Sequence, residues 1–432
     1  MNAQLDRYIH EVHLNLNVRG LGISPTLAIN ELSRSLVENG RSVFKLGLGQ
    51  SPFPVPEPVV QALRDNAHQK DYLSVHGLEQ LRKAIATYFN NRHGLHADWR
   101  SILIAPGSKE LMFLLQLAYY GDLIIPIPSW VSYAPQAHIV GRPVRWIKTS
   151  RENGWLITPE DLERICCSDP TKPRVVVLNY PNNPTGRTYS EQMLQELAAI
   201  ARKYHVILLS DEIYGELNFS GNYSSVARYY PEGTIISSGL SKWCGAGGWR
   251  LGLFTFPDEL DWLRQGMAAV ASETYTSTSA PIQYAAVHAF DGGKWLESYL
   301  KNSRRILAAL AEYSRQRLEK AGVLVEKAQG GFYLFPDFSQ TNLLDRRSFN
   351  SSEEFCNSLL QETGVAILPG SAFGLNGDNI LARLAFVDFD GARTLQALAD
   401  LTDEAELDEA FLVTYCERVT TGVERICDWL HS

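Results

Sequence analysis

The sequence predicts an α/β protein, with a mostly parallel, doubly wound sheet in a large domain and a small α+β domain after it. Three observations predict this. Between residues 101 and 256, short apolar runs alternate with amphipathic stretches at helical spacing, the pattern of repeated strand–helix units. The runs RVVVLNYP and VILLS are apolar at almost every position, as strands covered on both faces are. From about Asp291 the alternation stops and a long helical stretch opens a different pattern.

Taken in order, TLAINELSRSLVENG (26–40) has apolar residues at helical spacing and stops at a glycine. FKLGLGQSPFPVP reads as a short strand running into a proline-rich turn. PEPVVQALRDNAHQ is a helix with Pro58 near its start, and LEQLRKAIATYFNNRHG is another, closed by Gly94. The sheet follows. SILIAP, DLIIPIP, RPVRWIKT, RVVVLNYP, VILLSDEIY, GTIISSGLSK and RLGLFTFP are its strands. SKELMFLLQLAYY, VSYAPQAHIVG, TPEDLERICC and SEQMLQELAAIARKY are the helices between them, with Thr158 capping the third. Beyond residue 291, KWLESYLKNSRRILAALAEYSRQRLEKAG is a long helix. VLVEKAQGGFYLFPDF reads as two strands about a Gly-Gly turn, and VAILPG and ILARLAFVDF as one strand each. SSEEFCNSLLQETG, GARTLQALADL and the C-terminal end are helical. The expected division is an N-terminal segment, 1–55, joining the small domain; a large domain, 56–305; and a small C-terminal domain, 306–432.

The 432 residues are too many for one compact core in most architectures. At 45% apolar and 20% charged, the composition is that of an ordinary globular protein. The formal net charge of -8 argues against nucleic acid or an anionic membrane as partner. MNAQLDRYIHEVHLNLN lacks the basic-then-apolar order of a signal peptide, and no apolar run approaches membrane-spanning length. The six cysteines form no C-x-x-C and there is no H-E-x-x-H, so no metal is expected. Free thiols in a reducing cytoplasm fit best.

In an open α/β sheet, ligands bind beyond the carboxyl ends of the strands, and the chemically distinctive residues fall there. Gly107, Ser108 and Lys109 follow SILIAP and open a helix, a ready anion site. Arg250, eight residues past Lys242, can fork onto the same phosphate. Asp211 ends an apolar strand, where its charge needs a partner such as a protonated pyridine nitrogen. Trp130 can stack on a flat ring, while Asn183 and Tyr214 can donate to a phenolate oxygen. Lys242 lies in SSGLSKWCGAGGWRLG, and a lysine whose pKa is lowered forms an imine with an aldehyde. Together these describe a socket for pyridoxal 5'-phosphate.

NPTG at 183–186, D-x-x-Y at 211–214 and S-K-x7-R from 241 to 250 occur in one chain in this order. Their order resembles that of the class I/II aminotransferases, which are fold type I pyridoxal-phosphate enzymes. The resemblance runs over nearly the whole chain. It implies that Lys242 is the Schiff-base lysine and proton shuttle, that Asp211 pairs with the pyridine nitrogen, and that Asn183 and Tyr214 bond the phenolate oxygen. Gly107, Ser108, Lys109, Ser241 and Arg250 fall in the phosphate cup, and Trp130 matches the stacking aromatic. Tyr72 matches a tyrosine that reaches the phosphate of the neighbouring subunit, so a homodimer is implied. Arg383 matches the arginine that forks onto the substrate α-carboxylate, and Gly49 a glycine lying against the substrate. One position departs from the pattern: Gly239 stands where the family usually has Ser or Thr.

The implied activity is transfer of an amino group between an L-amino acid and a 2-oxo acid. The alternative on the same socket is a C–S β-lyase or a related lyase. A regulator with an added DNA-binding module is disfavoured, since about 20 residues precede the matching region. ISPTLAIN matches the S-x-T-x-x-x-N segment of an aspartate aminotransferase subgroup. Thr26 and Lys109 are therefore expected at a distal carboxylate, favouring aspartate or glutamate with 2-oxoglutarate as acceptor.

Overall fold

The structure, a computed structural model, describes residues 13–399, 401–402 and 405–432. The first 12 residues of the expected N-terminal segment lie outside the described residues.

Strand β1 (Phe44–Lys45) precedes the main sheet, which comprises β2 (Ile102–Ala105), β3 (Asp122–Ile127), β4 (Val144–Lys148), β5 (Arg174–Asn179), β6 (Ile207–Asp211), β7 (Thr234–Gly239) and β8 (Gly252–Thr255). Their spatial order is β2-β8-β7-β6-β5-β3-β4. Only β8 runs against its neighbours, so the sheet is mostly parallel, as expected. Every residue of β2, β5 and β6 is buried, which is why these runs read as continuously apolar rather than alternating. Alternation reappears in where the side chains go. Val175 and Val177 pack with Leu111, Leu114 and Met267 on one face of the sheet. Val176 and Leu178 pack with Leu162, Leu194 and Leu197 on the other.

The expected helix signals act as read. Thr158 accepts from the Asp161 backbone and Asp161 from that of Thr158, a reciprocal cap on the helix Pro159–Cys167. Gly94 ends the helix Glu79–His93 in the left-handed conformation, with φ 60°. The long helix spans Lys294–Lys320, so the boundary expected at 305/306 falls inside it.

The C-terminal region holds β9 (Tyr333–Leu334), β10 (Val365–Ala366), β11 (Leu368–Pro369) and β12 (Ala382–Ala385). β1 pairs in parallel with β10, and β11-β12-β9 form an antiparallel sheet. Two expectations fail here. VLVEKAQGGFYLFPDF is not a hairpin about Gly330-Gly331: only Tyr333–Leu334 is strand, with isolated bridges at Leu324–Asp337 and Gly330–Asn218. The segment spends its backbone groups on other parts of the chain. Gln329 N–H donates to Gly186 O at 2.8 Å and Phe219 N–H to Gln329 O at 2.9 Å. Gly330 is needed for that close approach, since a Cβ there would lie 2.4 Å from Pro181. VAILPG is likewise two short strands, because β10 and β11 pair with different partners, β1 and β12.

Candidate active site

The parallel register sets the floor of the site. Asn179 pairs with Asp211 across β5–β6, and Asp211 with Ser237 across β6–β7. Three polar residues thus stand in a row at the carboxyl ends of adjacent strands. Above them lies a cavity of about 490 Å³. Gly49, Ser108, Lys109, Trp130, Asn183, Asp211, Tyr214, Ser241, Lys242 and Arg250 all line it. Ten of the residues singled out in the sequence therefore converge on one space.

Asp211 is 3% exposed. Its Oδ2 accepts from Tyr133 Oη at 2.5 Å and its Oδ1 from Ser237 Oγ at 3.3 Å. Burial raises its pKa to about 6, although those hydrogen bonds pull the other way. None of the ion pairs among the described residues includes Asp211. Lys242 Nζ donates to Gly49 O at 2.7 Å and lies 5.5 Å from the centre of the Tyr214 ring. Burial, reinforced by the Arg383 and Arg250 charges, lowers its pKa to about 8. A buried acid outside any described ion pair and an amine partly freed of its proton thus face the same cavity.

The anion corner is built from the helix Ser108–Ala118. Its N-cap is Gly107, with φ 94° and no side-chain cap, so the first N–H groups lack a side-chain acceptor. Gly107 does not line the cavity but lies beneath Arg250: a Cβ on it would come within 2.2 Å of that guanidinium. Arg250 is held there by the carbonyls of Gly247 at 2.9 Å and Pro106 at 3.2 Å. Its φ of 56° is left-handed, a conformation that costs a non-glycine residue energy and clusters at ligand sites. Lys109 Nζ sits 5.4 Å from the Trp130 ring centre. Its pKa is lowered by burial and by Arg250. The departure at Gly239 has a steric cause. A Cβ there would lie 2.6 Å from Leu251 O across the β7–β8 pair.

Arg383 is 1% exposed and stands behind Asn183 rather than lining the cavity. It donates to Asn183 Oδ1 at 2.9 Å and to Gly47 O at 2.6 Å, while its Nε has no partner. Because Asn183 Oδ1 is taken by Arg383, its amide NH₂ is left for other acceptors. Thr26 is only half-buried, and its neighbour Leu27 lines the cavity in its place. Tyr72 is 88% exposed and away from the cavity of its own chain.

Three site residues escaped the sequence reading. Tyr133, one helical turn past Trp130 in PSWVSY, holds Asp211. Asn179 closes the floor: its Nδ2 donates to Asp211 O at 3.0 Å, and its Oδ1 accepts from Asn183 N–H at 2.8 Å. Tyr333 meets Tyr214, with hydroxyls 2.8 Å apart. Asn179 was the most findable, since it ends the apolar run that NPTG follows.

Residues 41–388 match the family model for aminotransferase class I and II. The asparagine–oxo-acid transaminase of Streptococcus mutans is 32% identical over 368 residues, covering 81% of this chain and 89% of that protein. An aspartate aminotransferase of Bacillus sp. strain YM-2 is 32% identical over 367 residues, covering 83% and 91%. Among solved structures, aspartate aminotransferase from Thermus thermophilus with maleate superposes with a TM-score of 0.82 at 26% identity, covering 96% of this chain and 99% of that one. The fold is that of the fold type I enzymes, and the chain belongs to the class I and II aminotransferases.

Proposed function

We propose that this transaminase binds pyridoxal 5'-phosphate in the 490 Å³ cavity and acts on amino acids with a distal carboxylate, aspartate or glutamate, with 2-oxoglutarate as acceptor. One observation supports the cofactor most directly. Asp211 is buried, raised in pKa and in no ion pair among the described residues, a setting that suits a protonated ring nitrogen as its missing partner. The uncapped helix N-terminus at Ser108 with Arg250 suits a phosphate, Trp130 a ring face, and Asn183 and Tyr214 a phenolate oxygen. Lys242 would hold the aldehyde carbon.

The cofactor, when bound, supplies an electron sink for the charge left at the substrate Cα. The chain supplies the rest. Arg383, directly behind the cavity lining at Asn183 and with its Nε unpartnered among the described residues, would take the α-carboxylate once that carboxylate displaces its bond to Asn183 Oδ1, and would so fix which Cα bond faces Lys242. Lys242 Nζ takes the Cα proton, and its lowered pKa gives a usable fraction of free amine near neutrality. Asp211, held by Tyr133 and Ser237, would supply a fixed negative charge to the ring nitrogen.

For the distal carboxylate, Lys109 presents an ammonium to the cavity and has no acidic partner among the described ion pairs. The Thermus neighbour was solved with maleate, itself a dicarboxylate. Exposure of Tyr72 suits a reach into a second subunit, so the working form is a homodimer. All six cysteines are free, which suits a reducing cytoplasm. No described helix is long and apolar enough to cross a membrane. The experiment is reconstitution with pyridoxal 5'-phosphate, followed by assay of aspartate with 2-oxoglutarate for oxaloacetate. Failure to develop visible absorbance on reconstitution refutes the cofactor site; absorbance without oxaloacetate refutes the substrate.

A further inference from the structure

Tyr333 stands where three stretches of chain meet. It opens β9, faces Ala385 across the β9–β12 pair and is 1% exposed. Its hydroxyl lies 2.8 Å from that of Tyr214. The Arg383 guanidinium sits 4.5 Å from its ring centre. A Cβ on Gly49 would lie 1.8 Å from the Tyr333 oxygen, so the bare backbone at Gly49 is what admits the hydroxyl. The same Gly49 carbonyl receives Lys242 Nζ.

The two phenols share one hydrogen bond but bring two protons. If Tyr214 donates, the Tyr333 proton is stranded. That hydroxyl is buried and makes no second hydrogen bond among the described residues. A buried donor without an acceptor loses its hydration uncompensated. If Tyr333 donates, the second proton belongs to Tyr214, which lines the cavity and finds water or ligand as acceptor. Only this arrangement leaves no donor stranded. A donor bond into the Tyr214 oxygen also polarises the Tyr214 O–H, as chained hydrogen bonds do.

We propose that Tyr333 is a positioning residue: its hydroxyl donates to the Tyr214 oxygen and so directs the Tyr214 proton into the cavity, at the phenolate oxygen of bound pyridoxal 5'-phosphate. This rests on the cofactor reading above.

The test is a pH titration of the visible absorption of the reconstituted protein. A phenolate oxygen that loses its donor is less stable as the anion and holds a proton more tightly, so the midpoint moves up. Tyr214→Phe should raise it by about one pH unit and Tyr333→Phe by roughly 0.3 unit. In a Tyr214→Phe background, Tyr333→Phe should add nothing, because no proton remains to be aimed. Tyr333→Phe removes a single oxygen, so the folded protein remains available for titration. An unmoved Tyr333→Phe midpoint overturns the proposal. So does an equal shift in both backgrounds, which would mark an effect of packing. A wild type with no visible band overturns the cofactor reading and this inference together, and a wild-type band that does not titrate overturns this inference alone. A wild-type band with Tyr333→Phe unmoved removes the Tyr333 assignment alone.

Discussion

Asp211→Asn should make the cofactor-free protein more stable while abolishing its activity. The folded carboxyl ionises near pH 6 against an ordinary value of 3.8, mainly because it is buried. Between those two values the folded state keeps a proton that the unfolded state has released. Stability therefore falls as pH rises from about 4 to 6, and the loss is complete above pH 6. The difference of about 2 units corresponds to about 3 kcal/mol. Asparagine keeps the shape and an oxygen for Tyr133 Oη, now at 2.5 Å from Oδ2, but never has to ionise. The assay is urea unfolding of cofactor-free wild type and variant at pH 4.5, 6 and 8. The variant should gain about 2–3 kcal/mol over wild type at pH 8, and the gain should shrink towards pH 4. A variant no more stable than wild type at pH 8, or a gain independent of pH, would refute the claim that Asp211 is ionised against its burial. Added pyridoxal 5'-phosphate should reverse the order, because only the wild type gives the ring nitrogen a counter-charge.

Lys242→Ala should leave no measurable transamination, since among the described residues no other amine donates to Gly49 O; a variant that still turns over at an appreciable rate would sink the assignment. Gly49→Ala places a Cβ 1.8 Å from Tyr333 Oη, an overpacking of roughly 1–3 kcal/mol. For a chain of this length that lowers Tm by only about 1–3 °C, so the sensitive measurement is kcat/KM, which should fall at least tenfold. Lys109→Ala should lower kcat/KM for aspartate much more than for an uncharged donor; an equal loss on both means that Lys109 does not read the side chain. Sedimentation should give a dimer, and a fully active monomer would remove the role proposed for Tyr72.

The sheet was legible because its strands are buried on both faces and so stand out as unbroken apolar runs. Asp211, Lys242 and Arg250 were legible because charge in such surroundings is conspicuous: Asp211 and Lys242 follow the runs VILLS and GTIISSGLS, and Arg250 opens RLGLFTFP. The hairpin assigned to VLVEKAQGGFYLFPDF failed for the opposite reason. A Gly-Gly pair signals a turn locally, but here Gly330 serves an approach to Pro181 and Asn218. Tyr133 and Tyr333 were hidden because a tyrosine in an apolar stretch reads as core until its hydroxyl partner is known.

Residues that act through others are legible only where a motif carries them, as it does Arg383 and Gly49 but not Tyr133 or Tyr333, and the geometry gives the reason. Ligand-facing groups must differ chemically from their neighbours in sequence. The groups that aim them need only lie next to them in space. Arg383 takes Asn183 Oδ1 and thereby frees the Asn183 NH₂ for the cavity. Tyr133 holds one oxygen of Asp211, and Ser237 the other. Gly49 receives Lys242 on its carbonyl and makes room for Tyr333 at its α-carbon. In each case the aiming residue comes from a different strand or loop than the residue it aims. Rigidity of the site is therefore a property of how β5, β6, β7, β9 and β12 are brought together. A substitution such as Gly49→Ala is expected to disturb Lys242 and Tyr214 at once, although neither is its neighbour in the chain.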